Sequence, residues 1–143
     1  MKEGRSRRNL RYRVTAHEAD TGLCIYGLRY EDLFTNGAYA LFSLLFDLRR
    51  IKKTETKQFS IIDDDDALIV FLNELLYLWD VHRFIPKKTT VVKEGAMFEA
   101  SVEGEIFDPE KHLPRKEIKA ATYHGFSVVK NEAGMEARVI LDI

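Results

Sequence analysis

Ala67-Leu68-Ile69-Val70-Phe71-Leu72-Asn73-Glu74-Leu75-Leu76-Tyr77-Leu78-Trp79 is the stretch that decides how this chain folds. Only Asn73 and Glu74 in it are strongly polar. The run is shorter than the roughly 20 apolar residues needed to cross a bilayer, and too continuous for a surface helix with one apolar stripe. It reads as a helix over about Asp66 to Val81, packed on two sides. On a helical wheel Asn73 shares a face with Tyr77 and Asp80, while Glu74 lies among Val70, Phe71, Tyr77 and Leu78. A carboxylate in such surroundings must be paired, protonated or functional. The preceding Asp63-Asp64-Asp65-Asp66 lacks the glycine and distal glutamate of a calcium loop, and adjacent side chains of an extended stretch diverge. It reads as an acidic helix start, capped by one of the aspartates.

Upstream of that helix, residues 9–16 and 22–29 alternate as strands through Leu10, Tyr12, Val14, Ala16 and then Leu23, Ile25, Gly27. From Tyr30 the period becomes helical, with Leu33, Phe34, Gly37, Ala38, Leu41, Phe42, Leu44, Leu45 and Leu48 on one face. Glu31 and Asp32 suit the start of that helix, and Arg49, Arg50, Lys52 and Lys53 are expected to complement the dipole at its end. A short strand, Gln58 to Ile62, links the two helices. Downstream, Phe84–Val92, Met97–Phe107, Ala120–Val129 and Ala137–Ile143 read as strands separated by turn signals at 93–96, 108–114 and 131–134. The expectation is one α+β domain over residues 13–143, two main helices packed on mixed or antiparallel sheet. Residues 1–12 form a basic arm, expected to be flexible at its start.

The 143 residues carry 45% hydrophobic side chains, which excludes a disordered tail protein. One cysteine, Cys24, excludes an internal disulfide and a thiolate zinc cluster, and it reads as a small core hydrophobe. His17, His82, His112 and His124 include no pair at i,i+4 and no His-Glu-x-x-His, so a zinc hydrolase has no support. There is no phosphate-cradling glycine loop and no nucleophile elbow. The basic start is followed by no apolar core of a signal peptide, so a soluble, cytoplasmic protein is expected. The net charge of −1 hides an asymmetry: residues 1–13 hold six bases and one acid, leaving the remainder acidic.

Five ordered blocks carry a specific resemblance. His17-Glu18-Ala19-Asp20 with Thr21-Gly22-Leu23 and Tyr26-Gly27, Leu72-Asn73-Glu74-Leu75-Leu76-Tyr77-Leu78, Gly104-Glu105, Ile118-Lys119-Ala120-Ala121-Thr122-Tyr123-His124-Gly125, and Val139-Ile140-Leu141-Asp142-Ile143 resemble, in the right order, segments of the archease family. The match spans about Tyr12 to Ile143, and Glu18 departs from the usual threonine. The resemblance implies an α+β fold of strand-helix-strand-strand modules, one inserted in the other. It implies an accessory protein, not itself an enzyme, that promotes guanylylation and multiple turnover of the RtcB-type RNA ligase in tRNA splicing. It also implies calcium, or another divalent cation such as magnesium, held by Asp20, Asp142 and the terminal residue Ile143.

The residues make such a cation plausible. Asp142 and the α-carboxylate of Ile143 place two anions at a strand end, and Asp20 would add a third. Unit charges about 4 Å apart repel by roughly 4 kcal/mol at an effective dielectric of 20, so clustered carboxylates need a proton or a cation. An all-oxygen set favours calcium or magnesium over zinc. The residues alone favour Asp20 as a turn residue before Gly22 and Asp142 as a frayed strand end; the resemblance to the archease family reverses that weighing. Lys119 is a candidate contact for the ligase, a phosphate or these carboxylates, or an ordinary exposed lysine. Glu74 is a candidate contributor to the acidic site, or is satisfied by a neighbouring strand. His124 and His17 read as satisfied structural histidines, with His124 kept as a possible functional residue. Two competing readings are an RNA-binding module using the basic arm and residues 49–57, touching tRNA weakly or indirectly, and a metal-dependent phosphohydrolase. A general chaperone role is compatible with the residues but not demanded by them. Neither DNA nor a membrane is an expected partner.

Overall fold

The computed structural model describes residues 10–16 and 20–143. In it the apolar run Ala67–Trp79 lies within a helix, Ala67–His82, that touches strands on both sides. In chain order the elements are β1 (Tyr12–Ala16), β2 (Asp20–Gly27), α1 (Tyr30–Leu45), a single 3-10 turn (Leu48–Arg50), β3 (Glu55–Ile62), α2 (Ala67–His82), β4 (Phe84–Glu94), β5 (Met97–Ile106), β6 (Ala120–Asn131) and β7 (Gly134–Asp142). The strands form two separate sheets, β1-β2-β7-β6 and β3-β5-β4, and every pairing is antiparallel.

The nested modules follow from that order. β3-α2-β4-β5 is one strand-helix-strand-strand unit, whose sheet runs first strand, last strand, third strand. β2-α1-β6-β7 is a second unit with the same sheet order, interrupted between its helix and its third strand by the whole of the first. β1 adds a fourth strand on the edge of the outer sheet. Both helices touch both sheets, so one core serves the two modules. Aromatic rings tie them together: Phe34 of α1 meets Phe71 of α2 at 5.1 Å and Phe98 of β5 at 4.7 Å, and Phe46 meets Trp79 at 4.9 Å. Edge-on and tilted ring packing of this kind adds to the burial term.

Several expectations are corrected. β2 begins at Asp20 rather than Gly22, so Asp20 is a ladder residue, not a turn residue. α1 ends at Leu45, because Phe46 is extended and the Asp47 side chain accepts the Arg49 N–H to start the 3-10 turn. Leu48 is therefore buried outside the helix, and Arg49, Arg50, Lys52 and Lys53 do not complete its dipole. Lys87 of β4 donates instead to the carbonyls of Leu48 and Ile51, at 2.7 and 2.6 Å. At the start of α2, Asp66 makes no side-chain cap; the Asp64 carboxylate accepts the Asp66 N–H, and Asp63 pairs with Lys93 at 3.0 Å. The four aspartates lie close enough to raise the half-buried Tyr30 phenol, which burial and then their charge push up to about 12. Cys24 is a buried strand residue, as expected. The arm expected over residues 1–12 falls mostly outside the described residues, and of its bases Arg11 is engaged, donating to Asn36 and lying over the Tyr39 ring.

Candidate functional site: paired aspartates at the outer sheet

β7 lies between β2 and β6, and its last residue is held from both sides. Asp142 is the direct cross-strand partner of Asp20 on β2 and of Ala120 on β6. Directly opposed residues of antiparallel strands project to the same face, with Cα atoms about 4.5–5.5 Å apart. Two residues more than a hundred positions apart thus present their carboxylates side by side. The Lys119 N–H donates to the Asp142 carbonyl at 2.7 Å, so the end of β7 is tied and not frayed.

Asp20 carries the sharpest local signal. Its Oδ1 is buried and has no hydrogen-bond partner among the described residues. A buried carboxylate oxygen without a donor is expensive, more so with a second carboxylate opposite. Thr122 Oγ1 is likewise buried and unsatisfied, two residues along β6 from the partner of Asp142. Strand alternation puts Thr122 on the same face as Ala120. The orphaned groups are all oxygens, a donor set that fits a hard divalent cation and not zinc or copper. Among the described residues no three His, Cys, Asp or Glu side chains are grouped to hold a metal. Of the expected set, Asp20 and Asp142 are brought together, and Ile143 is the exposed residue that follows β7.

The model of the Archease protein family matches residues 12–143. The chain belongs to the archease family. Curated relatives include the protein archease of Pyrococcus abyssi, 33% identical over 89% of this chain and 94% of its own length. That of Methanosarcina mazei is 34% identical over 93% and 96%. A solution structure of protein 1598 from Methanobacterium thermoautotrophicum superposes with a TM-score of 0.76 at 28% identity, covering 93% of this chain and 99% of the other. A crystal structure titled an archease, possible chaperone, from Thermotoga maritima gives 0.62 at 23% identity over 90% and 94%, a likeness of fold.

The archease blocks do not all converge. Lys119 lies beside Asp142 in the β-ladder region, with its side chain exposed and without an ion pair among the described residues. Glu74 is half-buried with no hydrogen bond among the described residues, and its expected apolar surroundings are opened by Val70 and Tyr77, which are exposed. It makes no contact of hydrogen-bond type with Asp20 or Asp142. His124 is exposed, not a satisfied structural histidine, and sits in a bulge of β6 where the register shifts between Thr122 and Ser127. His17 lies outside the described residues.

Asn73, on the helix face it shares with Tyr77 and Asp80, is half-buried against β6. Its amide clasps Ala121 of β6, accepting the Ala121 N–H at 2.8 Å and donating to the Ala121 carbonyl at 2.9 Å. This ties the α2 signature to the strand next to Asp142. The Gly104-Glu105 block has a partner that sequence reasoning missed. His112 is buried, accepts the Asp108 N–H on Nδ1 at 2.9 Å, and therefore donates from Nε2 to Glu105 at 3.0 Å. A lone histidine in a Pro-containing loop gives no periodic signal. Only the buried Glu105, in a strand of alternating burial, could have pointed to a loop donor.

Proposed function

We propose that this chain activates an RtcB-type RNA ligase in tRNA splicing, as a non-enzymatic accessory of the cytoplasm that promotes ligase guanylylation and multiple turnover. The observation that carries the reading is the buried, donorless Asp20 Oδ1 opposite Asp142. Asp20, Asp142 and the α-carboxylate of Ile143 would hold calcium or magnesium. A bound divalent cation would neutralise the clustered carboxylates and present positive charge at the sheet end.

The chain's own residues supply the rest. The Lys119 N–H fixes the Asp142 carbonyl, and Asn73 fixes Ala121, so the start of β6 is held to the end of β7 and to α2. Lys119 is exposed next to β6 in the chain, and its ammonium would meet a phosphate or carboxylate of the ligase complex. A rigid site docked at the ligase would act by proximity, ordering the ligase's nucleotide and nucleophile without itself reacting.

Ligation under multiple-turnover conditions, with Asp20→Ala and Asp142→Ala proteins, tests this. Both are expected to lose stimulation and to lose calcium binding by calorimetry. A one-residue extension after Ile143 should do the same by displacing the α-carboxylate. Full stimulation by both alanine variants would overturn the metal-site mechanism.

A further inference from the structure

The bases expected to serve the end of α1 have no such task, since α1 stops at Leu45 and Lys87 takes the carbonyls of the following turn. Of them, Arg50 lines a second site, Arg49 pairs with Asp47 of its wall, and Lys52 and Lys53 follow directly in the chain. A cleft of about 470 Å³ opens beside the 3-10 turn, with buried Phe46, Ile51 and His112 in its wall and exposed Arg50, Lys111 and Arg115 around it. That volume is in the range of ligand-binding clefts. The loop forming its far side is pinned: the Arg115 N–H donates to the Leu45 carbonyl at 2.7 Å, and Lys111 and His112 both reach Glu105.

The charge distribution singles this region out. Residues 47–53 and 108–116 carry seven bases and three acids, whereas the rest of 14–143 carries nine bases and nineteen acids. A basic island on an acidic body is an electrostatic footprint for a polyanion. Much of the island is uncommitted. Arg49 and Arg115 share Asp47, and Lys111 pairs with Glu105. Arg50, Lys52, Lys53 and Lys116 have no ion pair among the described residues. Glu110 is the one exposed carboxylate in the wall with no partner of its own.

We propose that this cleft and its surrounding bases bind the phosphodiester backbone of RNA. Protein-protein interfaces deplete lysine at their centre and rely on aromatic or aliphatic anchors. Nucleic-acid interfaces are polar and strongly basic. Among the described residues Leu113 is the only large apolar side chain exposed at the cleft, and the wall's phenyl ring, Phe46, is buried. With no ring free to stack on a base, the site reads phosphates and not sequence. It is distinct from the paired aspartates and does not depend on them.

The test is fluorescence anisotropy of a labelled single-stranded RNA of about 20 nucleotides with the full chain, between about 50 and 200 mM salt. Arg50→Ala/Lys53→Ala/Lys116→Ala should weaken binding about tenfold or more and flatten the slope of log affinity against log salt by about 2. The charge-matched Lys88→Ala/Lys93→Ala/Lys130→Ala should stay within about threefold of wild type, and Glu110→Gln should tighten binding by roughly twofold or more. Equal losses in the two triple variants would overturn the proposal, as would wild-type affinity in the first. Equal binding of poly-glutamate would replace RNA with an acidic protein. The readout is binding and not ligation, so its failure leaves the ligase-activator reading standing.

Discussion

Glu105 keeps its charge in the interior because three donors converge on it: the Lys52 N–H, the Lys111 ammonium and His112 Nε2. The Lys52 amide is the main cause, and with the two side chains it outweighs burial and holds the carboxyl at about 2, against an ordinary 4.5. A depressed carboxylate stabilises the fold fully above its unfolded value and loses that contribution as pH falls toward the folded one. Wild-type stability, read from urea midpoints, should therefore drop between about pH 5 and pH 2. Glu105→Gln should cost about 2 kcal/mol at neutral pH and show a flatter profile across that window. Parallel profiles for the two proteins would reject the assignment. Asp20 is the opposite case, with one carboxylate oxygen buried without a donor among the described residues. Sequence showed both residues inside family-like blocks. It could not tell which of them finds its partners within the chain, because the donors to Glu105 come from a loop and a backbone amide far from it.

The elements themselves were largely legible. The change of period at Tyr30 and the apolar run from Ala67 both mark real helices, since burial on one face or on two sides imposes the 3.6-residue spacing. Helix ends were less so. Leu48 keeps the spacing of α1 and is buried, yet it belongs to the 3-10 turn, because a buried side chain satisfies the pattern from either backbone. The partner of Asn73 was not legible for a related reason: a wheel records angle but not what stands opposite, and a strand backbone stands opposite Asn73. Asn73→Ala removes both bonds to Ala121 and leaves its N–H and C=O without these partners, so it should cost about 2–3 kcal/mol in thermal or chemical unfolding. Asn73→Asp, which keeps the acceptor for the Ala121 N–H and loses the donor, should fall between alanine and wild type. An alanine variant as stable as wild type would mean that the clasp is not what secures β6.

Which strands pair was not legible, because alternation says that a strand has two faces and nothing about its neighbour. The division into two sheets and the placing of Asp20 against Asp142 are properties of the whole chain. The nested arrangement has a kinetic consequence. β3, α2, β4 and β5 are consecutive, so their contacts close short loops, whereas joining β2 to β7 spans more than a hundred residues. Closure entropy and contact order both delay such a pairing. The inserted module should gather first and bring the ends of the outer one together, shortening the search. Pulse-labelled hydrogen exchange should accordingly find amides of β4 and β5 protected before those of β2 and β7; simultaneous protection would argue against it. Asp20 and Asp142 then come face to face only in the last step of folding, so collapsed intermediates do not yet carry the paired carboxylates, and the proposed cation site would arrive together with the finished fold.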